Sequence, residues 1–239
     1  MRIMVDFHTH IIPAVDDGSR DISMSIAMLK EECAQGVDTL VATPHFYAAR
    51  KSVQHFFDAR TSRLEEVREA LDEMGLASEI RLMAGAEVYY LQGMGRAERL
   101  PDLRIEGTDT ILVEMPFVQW TEEIYHDIRT IACDRDLKVV LAHIERYPAF
   151  QKSNDIWDKV MALPLVTQLN AGSFLKGRRK RKICLDWIKQ RPSSVLGSDC
   201  HDMTTRRPNL KAAREVIEKK AGAHILREID RTADGLLGI

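Results

Sequence analysis

The sequence predicts an α/β fold, a closed or nearly closed barrel of parallel strands, and three observations carry that expectation. Short runs rich in Val, Ile and Leu alternate with longer amphipathic stretches, the pattern of β-α-β units with right-handed crossovers. Seven such runs occur, enough to close a barrel. The Gly-rich dinucleotide fingerprint is missing after the first run, which makes a doubly wound open sheet the second choice. At 239 residues the chain suits one domain over 1–239, because α/β barrels run to roughly 250 residues.

The elements follow in order. Strand Arg2–Phe7 leads toward helix Ile22–Gln35, and Gly36 stands where a helix C-cap is expected. Strand Thr39–Ala42 precedes helix Val53–Met74, which carries Leu64, Val67, Leu71 and Met74 at helical spacing and ends at Gly75. Strands Ile80–Ala86 and Thr110–Glu114 come before helix Glu122–Arg135. Lys138–Ala142 pairs with helix Asn154–Ala162, Val166–Leu169 with Arg179–Gln190, and Ser194–Gly197 with Leu210–Lys220. The strands are brief and apolar, as fits burial on both faces.

Composition narrows the class. Basic residues number 34 against 36 acidic, a net charge of −2, so no nucleic-acid partner is expected. Hydrophobic residues make up 45%, which excludes a long disordered chain. The start MRIMVDFHTH has no apolar h-region, and no run approaches the ~18 apolar residues of a membrane span. Cys33, Cys133, Cys184 and Cys200 form no CxxC pair. A reduced, cytoplasmic protein without membrane insertion is the expectation.

The chemistry lies at the strand ends. The first strand runs into His8-Thr9-His10, and the second into Thr43-Pro44-His45. The third ends at Glu87, the fourth at Glu114, the fifth at His143 and the sixth at Asn170. The seventh ends at Asp199, followed by Cys200 and His201. In a parallel barrel these termini share the rim that carries active sites. Imidazole and carboxylate are ligands of zinc, manganese and iron. His8 and His10, two apart on an extended segment, point to one side and can reach one ion. A glutamate buried at a strand end is expensive unless a partner or cation offsets it. Asp16-Asp17-Gly18 reads as a turn, and Asp17 also as a ninth ligand. Nine candidates exceed one ion's needs, and carboxylates can bridge a cluster of two or three ions. His55, His126 and His224 fall within helices or at their ends and read as surface or packing residues.

Two further segments invite a second reading. Cys200-His201-Asp202-Met203-Thr204-Thr205-Arg206 fits the C-x5-R pattern of cysteine-dependent phosphatases. Such loops cradle phosphate with backbone N–H groups, commonly from glycines, and this one has no glycine. Asp199 and Asp202 flank the thiol and would disfavour a thiolate, so the match reads as coincidence. The dense basic run Lys176–Lys182 reads as a solvated helix face or as an attractor for an acidic or phosphorylated segment.

DFHTH, ATPH, AGAEVYY, LVEMP, LAHIERYP and GSDCHD with the following RRP occur in this order from residue 3 to about 210. Together they resemble the PHP (polymerase and histidinol phosphatase) metallohydrolases. The order and spacing are most similar to the bacterial manganese-dependent protein-tyrosine phosphatases of the CpsB/CapC type. That resemblance implies a distorted (β/α)7 barrel with a trinuclear metal site. It implies one ion on His8, His10, Glu87 and Asp199, and a second on Glu87, Glu114 and His143. It implies a third on Asp17, His45 and His201, with manganese as the usual ion and iron or zinc possible in the same site. Arg146 and Arg207 would contact the phosphoryl group, with Arg206 beside the latter as a substitute; bidentate guanidinium suits phosphate. Arg146 also reads as a surface ion pair with Glu145. The implied substrate is phosphotyrosine on the tyrosine-rich tail of a membrane-bound bacterial tyrosine autokinase that controls capsular or extracellular polysaccharide synthesis. A small phosphomonoester such as histidinol phosphate, or a nucleic-acid end, is the alternative within the superfamily.

Overall fold

The computed structural model describes residues 4–239, so the first two residues of the expected strand Arg2–Phe7 lie outside the described residues. The strands are β1 (Val5–Thr9), β2 (Thr39–Ala42), β3 (His45–Phe46), β4 (Arg81–Ala84) and β5 (Glu87–Tyr89). They continue with β6 (Thr110–Glu114), β7 (Lys138–Leu141), β8 (Leu165–Asn170) and β9 (Ser194–Gly197). All pair in parallel, in two sheets ordered β1-β2-β4 and β3-β5-β6-β7-β8-β9.

The nine segments fill the seven expected barrel positions, because β3 resumes β2 and β5 resumes β4. The breaks fall at Thr43-Pro44 and Gly85-Ala86. Pro44 has no N–H to give a ladder, yet backbone bonds stitch the breaks: Gly85 N donates to Ala42 O at 2.8 Å, and Glu87 N to Pro44 O at 3.1 Å. The barrel closes between β1 and the end of β9, where His10 N donates to Cys200 O at 3.0 Å and Asp199 N to His8 O at 2.8 Å. The predicted barrel is therefore present, and these two interruptions are its distortion.

Around it lie α1 (Ile22–Gln35), α2 (Val53–Glu73), α3 (Glu122–Asp134), α4 (Asp155–Met161), α5 (Ala171–Leu175), α6 (Arg178–Gln190), α7 (Leu210–Ala221) and α8 (Ala223–Leu237). Asp21 caps α1 by accepting from Met24 N at 2.8 Å, and Gly36 ends it in the left-handed region. Sequence reading did not anticipate α5 or α8. Helix α8 closes the N-terminal mouth of the barrel. Its Ala233, Leu236 and Leu237 pack on Val5, Phe7, Val41, Met83, Leu112, Val140 and Val195 inside the strands. Among the described residues no helix is long and apolar enough to cross a membrane.

Side chains alternate along a strand, so the frame that fills this plug also selects what faces the opposite rim. Two or four residues above Val41, Met83, Leu112 and Val195 come His45, Glu87, Glu114 and Asp199. Strand β1 departs from that frame. Its register shifts between Asp6 and Thr9, and above Phe7 it is His8 and His10 that turn to the rim. Gly197 makes room for this, since a Cβ there would sit 2.5 Å from His8 Cβ.

Candidate metal centre

Glu87, at the head of β5, is the hub of the rim. Its Oε2 lies 3.2 Å from His8 Nε2, 3.4 Å from His10 Nε2 and 2.9 Å from His45 Nδ1. Its Oε1 lies 3.0 Å from His143 Nε2, which is 3.5 Å from Glu114 Oε1. Asp199 Oδ1 approaches His10 Nε2 at 3.5 Å and His8 Nε2 at 3.8 Å. Asp17 Oδ1 stands 3.5 Å from both His45 Nε2 and His201 Nε2. The fold thus gathers all nine side chains singled out in the sequence. His55, His126 and His224 lie exposed on α2, α3 and α8.

Three groupings bring their ligand atoms within 4.8 Å of one another: His8-His10-Glu87, His45-Glu87-Glu114 and His10-Asp17-His45-His201. This partition differs from the one the resemblance implied. His10 joins the third group as well as the first, and His45 joins the second as well as the third, while Asp199 and His143 flank the groups.

The donor atoms fit cations. Glu87 Oε2 and His45 Nδ1, though 2.9 Å apart, and His201 Nε2 are buried without a well-formed hydrogen bond, a costly state unless something else satisfies them. Burial alone would lower His10, yet the Asp16 and Glu87 carboxylates push it up to about 10. Burial likewise opposes His143, but Glu114 and Glu87 push it up to about 9. Against burial, His8, His10, His143 and His45 hold the Glu87 carboxyl well below its usual range. The carboxylates thus demand positive charge, and protonated imidazoles supply it where metal ions could. His201, with its ring centroid 3.8 Å from that of His10, falls to about 3 through burial and the charges of His10 and Arg206.

Supporting contacts orient the cluster. Asp16 closes the expected turn by accepting from Gly18 N through Oδ1 at 2.9 Å, and its Oδ2 is buried against His10 Nδ1 at 2.7 Å and accepts from His45 N at 2.8 Å. Gln168 Oε1 accepts from His143 N at 2.7 Å and lies 3.1 Å from His8 Nδ1. Sequence reading passed over Gln168, whose one signal is a polar residue inside an apolar strand. His143 and Asp199 both adopt left-handed backbone, φ 32° and 54°, a conformation unfavourable for non-glycine residues and found at functional sites.

The two guanidinium positions divide. Arg146 Nη2 donates to Asp199 Oδ2 at 2.6 Å, while Glu145 is buried and accepts from Ser173 Oγ at 2.7 Å. The surface Arg146–Glu145 pair is therefore not formed. Of the adjacent pair, Arg206 Nη2 reaches Asp199 Oδ1 at 2.6 Å, whereas Arg207 Nη2 turns to Glu31 at 3.3 Å. Arg207 precedes Pro208, which favours extended backbone there, and neighbours on extended chain point to opposite sides. Cys200 is no nucleophile in this setting. Its thiol is buried and pushed well above its usual range by burial, Glu32 and Asp6, and its Sγ faces Glu32 Oε1 at 3.8 Å.

A family model described as capsular polysaccharide synthesis, CpsB/CapC, matches residues 4–235. The chain belongs to the CpsB/CapC family. It is 28% identical over 240 residues to the tyrosine-protein phosphatase CpsB of Streptococcus pneumoniae, covering 95% of this chain and 94% of that one. It is 26% identical over 245 residues to the tyrosine-protein phosphatase YwqE of Bacillus subtilis, covering 98% and 91%. One chain from the crystal structures of YwqE and CpsB, described as unique metal-dependent tyrosine phosphatases, superposes with a TM-score of 0.85 at 23% identity, covering 98% of this chain and 94% of that chain. The CpsB/CapC barrel is thus the fold that sets the nine side chains on one rim.

Proposed function

We propose that this CpsB/CapC chain is a metal-dependent phosphomonoesterase that hydrolyses phosphotyrosine in proteins. The observation that carries the reading is the nine-residue His/Asp/Glu cluster joined through Glu87, with two guanidinium groups on Asp199 at its edge. His8, His10, Glu87 and Asp199 would hold one cation, and Glu87, Glu114, His45 and His143 a second. Asp17 and His201, with His10 and His45, would hold a third. When bound, such ions lower the pKa of coordinated water and offset phosphoryl charge. Arg146 and Arg206, both held on Asp199 at the edge of the cluster, would bind phosphoryl oxygens and stabilise charge as it develops there. A phenolate leaving group has a conjugate-acid pKa of about 10, so the reaction makes little demand for a dedicated general acid.

Manganese is the ion we favour, and the substrate we favour is the phosphorylated tail of a tyrosine autokinase in capsular or extracellular polysaccharide synthesis. The relatives' names support a phosphotyrosine substrate, and the family's description supports a role in capsular polysaccharide synthesis. Metal analysis of the purified protein, chelation, and restoration with Mn, Fe or Zn in turn test the reading. The chelated protein should be inactive, and the restored one should hydrolyse phosphotyrosine peptides faster than phosphoserine peptides, histidinol phosphate or 3′-phosphorylated DNA. Full activity after chelation, or a preference for histidinol phosphate, would overturn it.

A further inference from the structure

Next to the metal cluster the surface opens into a groove of about 960 Å³ between the 3₁₀ segment Ile144–Phe150 and the start of α6. Arg146 lies at its inner end and belongs to both the groove and the smaller pocket at Asp199. Phe117 and Phe150 line one side, and Ile183 the other. The Phe117 ring stacks on His143 at 5.8 Å and meets Phe150 at 5.5 Å. An aromatic path therefore leads from the cluster outward to an exposed phenylalanine.

The groove's edge is basic. Within the run Lys176–Lys182, two cations have structural partners: Arg181 Nε donates to Phe174 O at 2.8 Å, and Lys182 pairs with Asp186. Arg178, Arg179 and Lys180 make no ion pair among the described residues, and all three line the groove. They also form the first turn of α6, which has no acidic residue and no side-chain cap. Cations there oppose the helix macrodipole, so folding does not account for their placement. Among the described residues Glu145 is the only carboxylate lining the groove; it is buried, and its Oε1 accepts from Ser173.

Resting on the phosphotyrosine phosphatase reading above, we propose that this groove docks acidic residues flanking the phosphotyrosine of the substrate, with Arg178, Arg179 and Lys180 selecting them by charge. The apolar walls take the neighbouring side chains of the same extended segment. Long-range attraction of this kind raises the encounter rate and fades with salt.

The test uses the metal-loaded enzyme, two phosphotyrosine peptides of equal length bearing Glu and Asp or Gln and Asn around the tyrosine, and para-nitrophenyl phosphate as a small reporter. The wild type should favour the acidic peptide at least about tenfold in kcat/KM, mostly through KM, and the preference should shrink as salt rises. The variant Arg178→Glu/Arg179→Glu should lose that preference while its para-nitrophenyl phosphate turnover stays unchanged and its thermal midpoint does not fall, since acidic residues suit the first turn of α6. Equal kcat/KM for the two peptides in the wild type, or preference retained in the variant, overturns the proposal. So does binding to phosphatidylglycerol vesicles that the variant abolishes without any discrimination between peptides; that result would assign the patch to a lipid surface. Failure to hydrolyse either peptide or the reporter strikes the phosphatase reading itself and takes this proposal with it.

Discussion

The two ends of the barrel are built from the same strands and have opposite contents. At the N-terminal end Phe7, Met83, Leu112 and Val195 interlock beneath α8. At the C-terminal end the same strands present His8, His10, Glu87, Glu114 and Asp199, nearly devoid of solvent contact. Burial stabilises the first end by roughly 25 cal/mol per Å² of apolar surface. The second end holds buried carboxylates, unpartnered ring nitrogens and two left-handed non-glycine residues, all of which oppose folding. Leu112 and Glu114 show how short the distance is: two residues along β6 separate a stabilising position from a chemical one. Stability and activity should therefore respond to different substitutions.

The largest effect is expected at the hub. Glu87→Gln keeps the shape but removes the charge shared by the groupings, so turnover should fall by about 10³-fold or more and metal content should drop. The thermal midpoint of the metal-free protein should fall less than that of Leu112→Ala, since only the charge pairing of Glu87 with its imidazoles is lost. Leu112→Ala should do the reverse, costing about 2–5 kcal/mol in chemical denaturation while metal content and the kcat of the folded protein hold. If Glu87→Gln unfolds the protein as readily as Leu112→Ala, the division between the two ends is wrong.

An intermediate effect belongs to Asp16, which touches His10 and the backbone of His45. Asp16→Asn keeps the size and loses the charge that orients the imidazole. Residues that orient metal ligands in this way typically contribute about 10–100-fold in metal affinity or activity. Metal titration of the variant checks this; wild-type affinity would limit Asp16 to its role in the turn.

These expectations also mark how far the sequence could be read. The candidate rim ligands were legible because histidine and carboxylate are unusual where an apolar run ends, and six of the seven runs ended that way, the sixth ending at Asn170. Asp16 was not separable from Asp17, because both precede Gly18 and only the folded turn shows that Asp16 points inward. Gln168 was invisible because its partner His8 is 160 residues away. Helix α8 follows α7 with no strand between them, so a reading built on strand-helix alternation stopped one element early. Its Ile225, Leu226, Ile229, Ala233 and Leu236 do repeat at helical spacing.

Adjacent identical residues are the hardest case, and they give the smallest and sharpest test. Spacing cannot tell Arg206 from Arg207. The turn decides: Asp202 Oδ1 accepts from Thr204 N, Thr205 N and Arg206 N, and His201 N donates to Arg206 O at 2.8 Å. That anchors residue 206 beside the cluster, and the extended step into Pro208 sends residue 207 toward α1, where Glu31 waits. Arg206→Ala should lower kcat/KM for a phosphotyrosine peptide by about 10–100-fold, the range expected for losing one charge-assisted contact of about 1.5–3 kcal/mol. Arg207→Ala removes an exposed ion pair of at most about 1 kcal/mol and should leave catalysis unchanged. Steady-state kinetics of the two variants side by side decide it: a larger loss at 207 than at 206 would mean that the turn holds the wrong guanidinium to the rim.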